Sequence, residues 1–227
     1  MTSGEPRFPR LYLHLFAMAA CVLPVTSYLL TGLGWRPADI GIATALLGVS
    51  GTVVSPFWGW LDDRTTWAPR TAILASGAAA VAAALTLGRL PHAATWATLA
   101  LFGAAEGSLD ALLTTRVLES GVHGNRLGGL RAFGSLGWVV GLALAAGVLT
   151  LWPAHPDWVL LVAAATALSA PRFWGTRSRT RAGREVRAPL PLPAVLKVLV
   201  FTFPPAVVIG GLVQFTGGWA RQVLAAG

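Results

Sequence analysis

Cysteine and charge are the two things this sequence has least of, and it also lacks the motifs of solution chemistry. Cys21 is its only cysteine, so no disulfide and no thiolate metal cluster can form within the chain. The four histidines, His14, His92, His123 and His155, fall in four separate segments without paired spacing, which argues against a zinc site. No Gly-x-x-x-x-Gly-Lys-Ser/Thr loop is present, so the chain is not itself a nucleotide-driven pump. No Gly-x-Ser-x-Gly elbow marks a nucleophile. Neither an enzyme nor a bound metal or cofactor is expected. Only 11% of the residues are charged, with 17 Lys and Arg against 9 Asp and Glu for a net +8. That surplus would suggest nucleic acid if it formed a helix face or stripe, but it is scattered through short links between apolar blocks, so nucleic acid is not an expected partner.

What the sequence has is apolar length. Of its 227 residues 55% are hydrophobic, in blocks long enough to cross a bilayer. The expectation is an all-α polytopic membrane protein with spans at about 11–30, 39–61, 70–88, 95–118, 128–152 and 158–173. Together these make a six-helix unit over residues 1–175. A basic linker over 176–192 and a seventh helix within 193–227 are expected to follow. Arg7, Arg10 and Cys21 loosely imitate a lipoprotein signal, but the apolar run continues past Cys21 to Leu30, so the first helix is read as uncleaved. Pro24 should kink it. Span two carries Gly48, Ser50, Gly51, Thr52 and Ser55, and span five carries Gly134, Gly137 and Gly141, small residues that let helix backbones approach.

Counting Lys and Arg in alternate links puts fourteen on one side and three on the other, Arg36, Arg89 and Arg221. The richer side is the cytoplasmic one, which places the N-terminus in the cytoplasm and the protein in the cell (inner or plasma) membrane. Tryptophans gather near the span ends, as interfacial anchors do.

Two carboxylates break the apolar pattern. Glu106 and Asp110 lie inside span four at a spacing of four, hence on one helix face, with Glu106 near mid-membrane and Asp110 about 6 Å nearer the cytoplasm at 1.5 Å per residue. Ionisable groups at that depth are costly and by default mark an ion or substrate path. Burial and mutual repulsion both oppose two charges here, so the pair is expected to titrate as a unit, which is what proton coupling requires. The plainer alternative makes Asp110 a fixed counter-ion of Arg131, which enters span five nearby. Glu106 has no obvious partner at its own depth.

The run Gly59-Trp60-Leu61-Asp62-Asp63-Arg64 resembles the Gly-x-Leu-x-Asp-Arg signature between helices two and three of the major facilitator superfamily. Leu33-Gly34-Trp35-Arg36-Pro37-Ala38-Asp39-Ile40-Gly41, and the stretch from Arg126 to Gly137, are similar to the subgroup of sugar, nucleoside and aromatic-acid proton symporters. The resemblance covers spans one to six. It implies a half bundle of two inverted three-helix repeats plus the start of a truncated second half, with Gly59, Asp63 and Arg64 carrying a conformational lock and the solute site between halves. The signature's usual Gly-Arg-Arg tail is replaced by the residues from Thr65 to Arg70. The function so implied is secondary transport of a small solute by alternating access, with protons as coupling ion. Lipid bilayer is the surrounding partner, and a second half-transporter or a second copy of the chain is a further one. The alternative is a non-transporting membrane module that pairs with a second polypeptide.

Overall fold

The computed structural model describes residues 7–122 and 124–174. The basic linker, the seventh helix and His123 lie outside them. All regular structure in the described part is helical. Seven α-helices follow in order: α1 (Phe8–Gly32), α2 (Pro37–Arg64), α3 (Ala68–Thr86), α4 (His92–Glu106), α5 (Leu109–Glu119), α6 (Asn125–Leu151) and α7 (Trp158–Ser169), which runs into a 3-10 turn, Ala170–Phe173. Proline opens several of them. Pro9, Pro37 and Pro69 sit in the first turns of α1, α2 and α3, where the missing N–H has no helical acceptor to lose and the fixed φ favours the helix. The link after α1 turns on Gly34 at φ +76°, a conformation open to glycine and strained for most other residues.

α1, α2, α3 and α6 are each long and apolar enough to cross a membrane. α4 and α5 together take the place expected for span four, and α7 with its 3-10 turn, a shorter apolar helix, takes that of span six. Span four, expected as one continuous helix over 95–118, is broken at Gly107–Ser108. Pro24, by contrast, is accommodated within an unbroken α1.

The packing partners form a pattern. The main contacts are α1 with α6 and α7, α3 with α4 and α7, and α2 with α4. Exchanging spans one and four, two and five, and three and six maps this set onto itself. That is the internal symmetry of a 3+3 repeat. Two crossings are especially close. A Cβ on Gly141 of α6 would meet the backbone of Ala17 and lie 2.8 Å from Ala20 Cβ, and one on Gly137 would meet the Leu13 backbone. At the equivalent crossing, a Cβ on Gly103 of α4 would meet the Leu47 carbonyl and lie 2.6 Å from Ser50 Oγ. Glycine is required at both places because backbone touches backbone.

Polar contacts tie the ends. At the arginine-rich end, the Arg7 amide donates to the Phe173 carbonyl over 3.0 Å. At the opposite end, Arg89 and Asp157 pair at 3.0 Å, and the Trp35 ring stacks on His92 at 3.7 Å.

Candidate functional site

The site begins with the helical repeat of α2. Leu47, Gly48, Gly51, Thr52, Ser55 and Pro56 recur at steps of one, three and four, so they form one stripe on that helix. Against it lie Leu23 of α1 and the end of α4, Glu106 and Gly107. Between them opens a cleft of about 640 Å³. That volume falls within the ordinary range of small-molecule sites. The close passage of α2 over α4 sets its edge: a Cβ on Gly107 would lie 2.6 Å from Gly51 Cα. Glu106 therefore emerges directly beside a backbone crossing and faces the cleft.

The break in span four frees backbone carbonyls, and side chains take them up. The Trp58 indole Nε1 donates to the Ala104 carbonyl over 2.8 Å, and Ser108 Oγ reaches the Ala105 carbonyl at 3.5 Å. A helix can break inside an apolar layer only when such partners are supplied. The side chain of Glu106, the last residue of α4, makes no hydrogen bond or ion pair among the described residues.

The two carboxylates lie on either side of the break. Asp110 lies in the first turn of α5, half-exposed, with Arg131 Nη2 at 3.2 Å. The counter-ion alternative thus describes Asp110, while Glu106 stands apart in the cleft.

One family model, described as the MFS_1 like family, matches residues 7–186. The chain belongs to that family, within the major facilitator superfamily. Among solved structures, the fold is similar to the crystal structure of the nucleoside transporter NupG, with a TM-score of 0.69 and 16% sequence identity. The similarity covers 96% of this chain and 56% of that one, so the chain spans little more than half the length of NupG. At that identity the likeness is one of fold. No curated protein matches the chain.

The signature residues of this MFS_1 like chain lie at the end of α2, and a buried acid sits beside them. Gly59, Asp63 and Arg64 are all exposed, and the Arg64 guanidinium rests 4.3 Å above the Trp60 ring. The buried acid is Asp62, at 4% exposure, paired with Arg116 of α5. Arg116 also approaches Glu119 at 3.9 Å. Helical phase would have found this pair, since Asp62 falls four residues after the inward-facing Trp58, whereas Asp63 is turned about 100° away. The cleft's Thr52 and Ser55 were legible only as small packing residues, because nothing in the sequence says which side of a close crossing opens.

Proposed function

We propose that this chain carries out proton-coupled secondary transport of a small solute by alternating access, with Glu106 taking and releasing the coupled proton. The carrying observation is the position of Glu106, which has no described partner and faces the cleft in a fold of this superfamily. Asp110 and Arg131 form a secondary pair that opens or closes the path one turn away, and Gly59, Asp63 and Arg64 act as a lock at the cytoplasmic face. The N-terminus is cytoplasmic and the membrane is the cell membrane, as the distribution of arginine supports. The carrier needs a second half, which another membrane polypeptide or a second copy of the chain can supply. Exposed apolar side chains, Val49, Val53 and Phe57 on α2 and Leu136 and Val139 on α6, support this and also support the reading as a pairing module.

The test is uptake into vesicles containing the purified full-length chain, with and without a pH gradient, using labelled uridine, glucose, benzoate and 2-phenylethylamine. Accumulation of at least one solute should follow the gradient. Glu106→Gln should abolish accumulation while sparing exchange. Accumulation against a gradient by that variant would remove the coupling role.

A further inference from the structure

We infer that the cleft takes the cationic headgroup of an amine-bearing solute, which rests on the transport reading above and names the class of solute at that site. The argument is a census of donors and acceptors. Thr52 Oγ1 donates to the Gly48 carbonyl at 3.1 Å, so its oxygen offers only lone pairs to the cleft. Pro56 has no N–H, so the Thr52 carbonyl loses its helical donor and stands as another acceptor on the same wall. Ser55 adds a hydroxyl, and Glu106 adds a carboxylate. Among the described residues, no lysine, arginine or histidine lines the cleft.

The nearby cations are committed elsewhere. Arg131 of α6 is paired with Asp110, and Arg116 of α5 with Asp62. Asp110, the charged group nearest along the chain, adds to the negative field at Glu106. A carboxylate without a fixed counter-charge in a low-dielectric layer is costly, and a mobile cation relieves it. A proton does so when the cleft is empty and an ammonium group when it is loaded, so proton and headgroup compete for one carboxylate. Leu23, Leu47 and Pro56 leave an apolar surface for the body of the solute. Among the described residues, anionic solutes meet like charge and no side-chain donor but the Ser55 hydroxyl.

The experiment is calorimetric titration of the purified full-length chain with three probes sharing a phenyl ring: 2-phenylethylamine, 2-phenylethanol and phenylacetate. The amine should bind at least tenfold more tightly than the alcohol, with phenylacetate undetectable. Glu106→Gln should erase the preference. Thr52→Lys should turn it toward phenylacetate, provided that variant elutes as the parent does. Equal binding of amine and alcohol, a preference for the acid, a preference surviving Glu106→Gln, or no binding at all overturns the inference. So does a heat on titration with sodium chloride that is lost in Glu106→Gln without discrimination among the three probes, which marks an inorganic cation site. The vesicle assay separates the two failures. Uridine, glucose or benzoate accumulating in a Glu106-dependent way keeps the transport reading and removes the cationic class, whereas no accumulation of any solute removes the transport reading itself.

Discussion

The two symmetry-related crossings, α1 with α6 and α2 with α4, begin from the same device and end differently. Both bring backbones into contact through glycine, Gly137 and Gly141 at the first and Gly51, Gly103 and Gly107 at the second. At the first, both helices run unbroken and the polar content reduces to Cys21 Sγ donating to the Gly141 carbonyl at 3.3 Å inside a closed apolar core. At the second, the helix breaks, a carboxylate appears and a cleft opens beside it. Helix proximity alone does not make a site. What differs is the residue next to the close contact and the presence of donors, Trp58 and Ser108, able to satisfy a broken backbone.

The largest expected effects test whether the crossings are equivalent in packing. Gly103→Val and Gly141→Val each force a side chain into backbone and should each cost about 3 kcal/mol or more, read as loss of monodisperse protein and lower thermal stability. Gly147→Val, on α6 with nothing within 4 Å of its Cβ, is the control and should stay within about 0.5 kcal/mol. A tolerated Gly141→Val beside a damaging Gly103→Val would break the symmetry.

Next comes the buried pair, present only on the side of the second crossing. Arg116→Met removes an ion-pair partner of buried Asp62 and should cost about 3–5 kcal/mol, and adding Asp62→Asn should recover a good part of it in a double-variant cycle on thermal unfolding. Equal losses in single and double variants would show that the pair carries no coupling.

Smaller effects sharpen the contrast in how the crossings satisfy polar groups. Trp58→Phe removes the donor to Ala104 and should cost about 1–3 kcal/mol, while Cys21→Ala, which removes a weak thiol donor, should cost less. The smallest effect is expected from Arg131→Gln. Its pair with Asp110 is half-exposed, at 55% and 48%, so stability should change by under about 1 kcal/mol. A loss of several kcal/mol would reassign that pair from the transport path to the scaffold.

Much of this fold was legible in the sequence for a simple reason: crossing hydrocarbon demands about twenty apolar residues, and that length is visible without a structure. Glu106 stood out by the same logic, as a charge where charge is costly. The break at Gly107–Ser108 was not legible, because glycine and serine are also ordinary packing residues and only the reach of Trp58 from another helix permits it. The family pattern points to Asp63 and says nothing of Asp62 beside it. The structure buries Asp62 because its phase on α2 follows Trp58, and it brings up Arg116, which the sequence shows only as one more basic residue near a link. The spacing alone allows Asp110 either Glu106 or Arg131 as its partner, and in the structure Arg131 Nη2 lies 3.2 Å from it.

The hydrogen bond from the Arg7 amide to the Phe173 carbonyl carries one more consequence. It closes the six spans into a ring whose entrance and exit are adjacent, so the order in which the spans are threaded is, in physical terms, arbitrary. A circularly permuted chain, joined by a short tether across residues 174 and 7 and opened in the link 120–124, should assemble the same bundle. Whatever is fused after Trp174 starts from beside the foot of α1.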